Sequence, residues 1–156
     1  TSLFAHLAEY NQAQPQVTMH RDYHSRNLMV LADESLAVID FQDMVTGPLT
    51  YDLVSLLKDC YVRWPARVIV DGVSQAYGHY ADAALLGGMS RDEFLRAFAL
   101  TGMQRHLKAA GIFCRLHHRD GKSGYLKDIP VFLITHEHPG LLGSGAYLRQ
   151  SLGIKL

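Results

Sequence analysis

The stretch Met19-His20-Arg21-Asp22-Tyr23-His24-Ser25-Arg26-Asn27, followed by Ala37-Val38-Ile39-Asp40-Phe41-Gln42, decides how this chain is read. It sets an Asp, an Asn and a second Asp at spacings suited to holding magnesium and a hydroxyl beside a phosphate. Phosphoryl transfer is mostly positioning and charge neutralisation. Its minimum equipment is one carboxylate to orient the attacking hydroxyl and two oxygen ligands for Mg²⁺. Asp22 is the candidate for the first role, and Asn27 and Asp40 are the candidate ligands. Leu28-Met29-Val30-Leu31 and Leu36 to Ile39 read as strands joined by the polar turn Ala32-Asp33-Glu34-Ser35. A hairpin of that length carries the chain out and back, so Asp40 is expected close to Asn27.

The pattern His-x-Asp-x-x-x-x-Asn, then a hydrophobic strand ending in Asp-Phe, resembles the catalytic and metal loops of kinase-fold phosphotransferases. His24, and Gln42 in place of a glycine after Phe41, move the resemblance away from protein kinases. They move it toward aminoglycoside-phosphotransferase-like small-molecule kinases, which carry His-x-Asp-x-His-x-x-Asn. The runs HRDYHSRNLMV, VIDFQDMVTGPLTYDLVSLLKDCYV and MQRHLKAAGIFCRLHHRDGKSGYLKDIP are similar to the kinases of bacterial cell-wall recycling that phosphorylate the anomeric hydroxyl of N-acetylmuramate and N-acetylglucosamine. The likeness extends from about Met19 to Pro130.

This resemblance implies a mostly α-helical chain with a small β-hairpin, the C-terminal lobe of a protein-kinase-like fold over residues 1–156. It implies ATP and Mg²⁺ as cofactors and an amino sugar as the small-molecule acceptor. Aminoglycoside, choline or homoserine remain open, since the motif pair is shared across those kinases. Asp22 would orient and deprotonate the acceptor hydroxyl, while Asn27 and Asp40 would hold magnesium between the β- and γ-phosphates. His20, His24 and Asp52 would support the loop. Asp52 is expected to accept hydrogen bonds from the catalytic-loop backbone; its place in the first turn of a helix also suits a negative charge near the helix N-terminus. His20 is expected to pack under the loop, and His24 is open between loop support and phosphate contact. Arg21 and Arg26 face either phosphate or solvent. Arg26, Arg105 and His106 are candidate substrate-binding residues, with Arg115 and Asp120 beside them.

The composition suits an ordinary globular chain: 156 residues, 48% hydrophobic, with fifteen basic and fifteen acidic side chains. That balance gives no global basic field for nucleic acid or a membrane surface. The apolar runs are too short to span a bilayer. Cys60 and Cys114 sit in apolar helical stretches, and buried free thiols point to a reducing compartment, the cytoplasm. Nothing before Met19 resembles a nucleotide-binding lobe, which takes roughly another hundred residues in such a kinase and brings a phosphate-covering loop and a lysine. These residues are therefore expected to be inert alone and prone to self-association around Phe41 and the first helix.

Helical spacing predicts helices over Ser2–Gln12, from Tyr51 until Pro65, and over Arg67–Tyr80. Ser90-Arg91-Asp92-Glu93 is a capping box that opens a helix running past Leu107 toward Leu116. Tyr125 to Glu137 and Leu141 to Leu152 read as further helix. His118-Arg119-Asp120 copies the motif letters without its context, because Tyr125 stands where Asn is needed. Gly121-Lys122-Ser123 lacks the earlier glycine of a phosphate-binding loop, since Leu116 stands there. Two other classes compete with the kinase reading. One is a zinc hydrolase built from His20, His24, His117, His118, His136 and His138, although His-x-x-x-His spacing on one helix is absent. The other is a non-catalytic binding module or pseudokinase, whose usual sign is loss of the base or metal ligands. Asp22, Asn27 and Asp40 are all retained.

Overall fold

Helix α1 (Leu3–Ala13) forms where the spacing of Leu3, Leu7 and Ala8 predicts it. It stops short of Pro15, whose ring has no N–H to give and clashes with a preceding turn. The computed structural model describes residues 3–119. Within the chain, residues 1–105 form one unit and residues 106–156 a second.

Strand β1 (Gln16–Met19) leaves α1 directly and pairs antiparallel with β4 (Val45–Pro48), in register from Gln16 opposite Pro48 to Met19 opposite Val45. The sequence does not predict this sheet. Four-residue strands are too short to display a period, and Gly47-Pro48 reads as a turn. Pro48 is tolerated because it ends an edge strand. Gly47 leaves room for the thioether of Met19, which a Cβ at that position would strike.

The predicted hairpin is present as β2 (Leu28–Val30) and β3 (Leu36–Val38), with Leu28 opposite Val38 and Val30 opposite Leu36. Its turn is closed by Leu31 N–H donating to Ser35 O (2.9 Å). Asp33 also accepts bonds from the Ser35 N–H (3.1 Å) and hydroxyl (2.6 Å), an arrangement typical of Asp at a turn.

Helix α2 (Tyr51–Leu57) is shorter than its apolar pattern predicts. Two side chains account for the early stop. The Asp59 carboxylate bonds Ser25 and the Tyr61 N–H, which draws the chain out of helical geometry. The Trp64 indole then donates to Leu56 O (2.9 Å), satisfying one carbonyl that the helix end leaves without a partner. Helix α3 (Ala66–Asp82) starts after Pro65, a favourable residue before a first turn. Helix α4 (Arg91–His118) opens on the predicted capping box: Ser90 N–H donates to Glu93 Oε2 (2.8 Å) and Glu93 N–H returns to Ser90 Oγ (3.3 Å). The Ser90 hydroxyl, which donates to Glu93 Oε2 (2.7 Å), and the Ser90 N–H hold the Glu93 carboxyl below its usual pKa. Residues 106–118 of the second unit are helical. The helices expected over Tyr125–Glu137 and Leu141–Leu152 lie outside the described residues.

The described chain is thus helix-rich with two small antiparallel sheets. In the first unit, Leu49, Val54, Leu57, Val73, Leu86, Phe94 and Phe98 form the core. Phe94 is fully buried, with the Tyr77 and Tyr80 rings 5.5 and 5.9 Å from it in tilted and edge-on contact. A buried polar cluster lies beside this apolar one. Gln14 donates to Asn11 Oδ1 and Thr101 Oγ1 (both 2.9 Å), Thr50 donates to Gln14 Oε1 (2.8 Å), and Thr101 donates to Asn11 Oδ1 (2.7 Å). Four satisfied side chains therefore tie α1 to the start of α2 and to α4. Gly102 lets the Lys58 side chain lie against α4.

Candidate active site

The loop from His20 to Asn27 is built on helix α2. Asp52, in the first turn of α2, accepts the His20 N–H with Oδ2 (2.5 Å) and the Arg21 N–H with Oδ1 (3.0 Å). One turn further on, Ser55 Oγ lies 3.5 Å from Arg21 O and accepts from Arg105 Nε at 2.7 Å. Arg21 needs this support because its φ is +76°, a left-handed conformation that costs a residue with a Cβ. Both sides of the strained residue are held by one helix, and Asp22 follows it directly. Burial pushes the Asp52 carboxyl above its usual pKa; the two backbone donors pull it down, and the nearby Asp22 charge pushes it up again.

The hairpin brings Asp40 back to the loop as its length requires. Ile39 N–H donates to Asn27 O (3.1 Å). His20, 5% exposed, donates from Nε2 to Ile39 O (2.9 Å), which fixes the imidazole as its Nε2–H tautomer because a carbonyl can only accept. His20 therefore sits under the loop and joins its start to the end of β3. Asp40 follows at φ +66°, and its Oδ1 accepts from Gln42 Nε2 at 2.6 Å.

Asn27 turns inward. Its Nδ2 donates to Asp22 O (2.9 Å), and its N–H donates to His24 O (2.9 Å). With the amide nitrogen committed, the side-chain oxygen Oδ1 is left as a ligand. Asp40 keeps its second carboxylate oxygen, and the exposed Asp22 carboxylate accepts no hydrogen bond from the described residues. Asn27 Oδ1 and the carboxylates of Asp40 and Asp22 are hard oxygen donors. That set suits Mg²⁺, which takes few protein ligands and keeps waters and phosphate oxygens for the remainder. Zinc would need three or four convergent N, S or O ligands. Among the described residues no three His, Cys, Asp or Glu side chains converge in that way. His136 and His138 lie outside those residues.

The remaining candidates divide. His24 is half-buried, edge-on to Tyr61 at 5.3 Å, with a buried Nδ1 that no described residue bonds. Arg26 is exposed, its guanidinium 3.7 Å over the centre of the Tyr61 ring. Arg105 is buried and committed to Ser55 Oγ, with Nη1 3.6 Å from Cys60 Sγ. His106 is the first residue of the second unit and is exposed. Arg115 is exposed on α4, and Asp120 lies outside the described residues.

Ser55, Asp59 and Tyr61 also touch the loop and are not among the sequence candidates. The signal for one of them was available: Ser55 stands three residues after Asp52, on the same side of α2.

The profile of the Phosphotransferase enzyme family matches residues 1–90, and that of Glucokinase matches residues 66–151. The N-acetylmuramate/N-acetylglucosamine kinase of Neisseria meningitidis serogroup B is 47% identical over 121 residues, 78% of this chain and 36% of that protein. The protein of the same name from Pseudomonas aeruginosa is 48% identical over 119 residues, 76% of this chain and 35% of that protein. A Glucokinase from Tolumonas auensis is 61% identical over 79 residues, 51% of this chain and 22% of that protein. The chain spans about a third of the length of the first two relatives. The sequence reading did not anticipate the glucokinase match. No helix among the described residues is long and apolar enough to cross a membrane.

Proposed function

Because the chain belongs to the phosphotransferase enzyme family, and over residues 66–151 to the glucokinase family as well, we propose that it carries the catalytic and metal loops of an ATP- and Mg²⁺-dependent sugar kinase. The acceptor in this reading is a hydroxyl of an N-acetylated amino sugar, the anomeric one. One observation carries the proposal. Asn27 spends its amide nitrogen on Asp22 O, while Ile39 N–H bonds Asn27 O, which supports a reading in which Asp40, the next residue, works beside the loop that carries Asp22 and Asn27.

Asp22 accepts the proton of the acceptor hydroxyl as that oxygen attacks phosphorus; general-base assistance of this kind is worth ~10²–10⁴-fold. Asn27 Oδ1 and the Asp40 carboxylate would hold Mg²⁺, whose charge offsets the charge on the phosphate oxygens. Asp52 holds the loop through its two backbone donors, so the Asp22 carboxylate is aimed before substrate arrives. Such preorganisation contributes to the rate and not only to affinity. His20 keeps Asp40 in reach of Asn27 through Ile39. Arg26, exposed at the rim of the loop, is the described candidate best placed to meet an anionic group.

Phe41 is 59% exposed and Phe4 67% exposed, and the hairpin shows Val30 and Leu36 to solvent. We assign these exposed apolar side chains to contact with a nucleotide-binding lobe, which would supply the lysine and the phosphate-covering loop. Cytoplasm, where ATP and Mg²⁺ are held, suits the free thiol of Cys60. A neutral hexose is the second reading for the acceptor, favoured by the glucokinase match over residues 66–151. The test is a panel: Mg-ATP with N-acetylmuramate, N-acetylglucosamine and glucose, using protein expressed from the complete reading frame that contains these residues. The proposal expects turnover of an N-acetylated sugar well above that of glucose. Preference for glucose would favour the second reading, and no transfer to any of the three would remove both.

A further inference from the structure

We propose that Asp59 is a positioning residue that holds the turn Ser25–Asn27, and through it Asn27; its bearing on the metal rests on the function proposed above. Ser25–Asn27 is one turn of 3-10 helix. Short turns of this kind leave their first N–H groups without intrahelical partners. The residue in front, His24, makes no side-chain capping bond. Asp59, from beyond the end of α2, supplies the missing acceptor. Its Oδ2 accepts the Ser25 N–H at 2.9 Å and the Ser25 hydroxyl at 2.6 Å. Its Oδ1 accepts the Tyr61 N–H at 2.9 Å. Both carboxylate oxygens are occupied, so the group cannot rotate without losing a charge-assisted bond at one end.

The bond to Tyr61 has a second effect. It sets the Tyr61 ring edge-on to His24 and beneath the Arg26 guanidinium, 5.3 and 3.7 Å away between centres. Three consecutive loop residues, His24, Ser25 and Arg26, are therefore gripped by the segment Asp59–Tyr61. Cys60, between them, rests against the buried Arg105. The next loop residue is Asn27, whose N–H bonds His24 O and whose side chain bonds Asp22 O. Any displacement of Ser25 is passed to Asn27 by one peptide unit and by the His24 carbonyl. Asp59 touches neither metal nor substrate in this account. It acts through Ser25.

Two variants and two readouts test this. Asp59→Ala removes every acceptor; Asp59→Asn keeps one oxygen and should recover part of the grip. By hydrogen exchange read by mass spectrometry on this chain, Asp59→Ala should speed exchange across residues 23–28 by about tenfold or more, as loss of a charge-assisted bond implies. Helices α3 and α4 should exchange as before, and Asp59→Asn should fall between. In the full-length enzyme, Asp59→Ala should raise the Mg²⁺ concentration needed for half-maximal turnover by about tenfold while leaving KM for the sugar within about twofold. Unchanged exchange at 23–28, or faster exchange throughout with a collapsed Tm, would overturn the positioning role. Local loosening with an unchanged Mg²⁺ requirement would overturn the link to Asn27. Absence of phosphotransfer in the wild type would sink the proposed function and the metal link with it, while the exchange arm still decides whether Asp59 holds the loop.

Discussion

Asn27 Nδ2 donates to the backbone carbonyl of Asp22 at 2.9 Å, so the candidate metal ligand is tied directly to the backbone of the candidate base. The same bond decides which end of the Asn27 amide faces outward. A single contact thereby orients a ligand and braces the residue that would meet the acceptor hydroxyl. Asp52 and Asp59 approach this loop from one helix and its extension, at residues 20–21 and at residue 25.

Asp40 separates charge from backbone geometry. It sits at φ +66°, where Asn is tolerated about as well as Asp and Ala is not. Asp40→Asn should therefore leave Tm within about 1–2 °C, a stability change well under 1 kcal/mol. It should weaken Mg²⁺-dependent nucleotide binding by about tenfold or more, because one negative charge near the ion is lost. His118→Ala should leave that binding unchanged. Titrations of nucleotide with and without Mg²⁺ read both; the opposite pattern would mean that the second His-Arg-Asp is the working one.

Asp52 gives a dependence on pH with a definite sign. Burial raises its folded-state pKa above the ordinary 3.8. The folded state then holds the proton more tightly than the unfolded chain. Its stabilising contribution is fully present below 3.8 and is lost as pH rises through the folded-state value. The Tm advantage of the wild type over Asp52→Ala should accordingly shrink as pH rises through that window. An advantage that grows with pH would mean that the two backbone donors outweigh burial. Activity runs the other way. Protonation turns one acceptor oxygen into a hydroxyl and releases His20 or Arg21, so turnover should fall as pH drops into the same window.

How much of this was legible in the sequence depends on the range of each interaction. Asp22, Asn27 and Asp40 stand out because a hairpin joins them, and a strand-turn-strand pattern is local. Asp52 was legible through its place in Tyr51-Asp52-Leu53. Asp59 was not, because its partner Ser25 is 34 residues away and no period links a turn to a helix end. The pairing of β1 with β4 was hidden by strands of four residues, one of them carrying Gly47 and Pro48. The apolar run after Thr50 reads as helix to Pro65. Only the competing bonds of Asp59 and Trp64 end it at Leu57.

The buried polar cluster predicts a stability effect far from the site. Thr101→Val keeps the shape and removes the hydroxyl that bridges Asn11 and Gln14. Two buried amide groups would each lose a partner. The expected cost is about 2–4 kcal/mol, read as a lower denaturant midpoint at unchanged m-value. A change below about 0.5 kcal/mol would mean that the cluster rearranges or that water replaces the hydroxyl.

The exposed apolar side chains of Phe4, Phe41 and the hairpin predict the behaviour of these residues expressed alone. They should fold, self-associate with rising concentration, and bind Mg-ATP no tighter than about millimolar, equivalent to about 4 kcal/mol. Phe41→Ser should reduce the association seen by sedimentation. Micromolar Mg-ATP binding by these residues alone would mean that no second lobe is needed.

The most direct test is the turnover of Asp22→Asn in the full-length protein, measured beside Mg-ATP affinity on its best sugar acceptor. The Asp22 carboxylate is exposed and accepts no hydrogen bond from the described residues, so the substitution should leave the fold intact. The account predicts that kcat falls by about a hundredfold or more, with Mg-ATP affinity within about twofold of the wild type. Turnover within a few-fold of the wild type would contradict it and remove Asp22 from the chemistry.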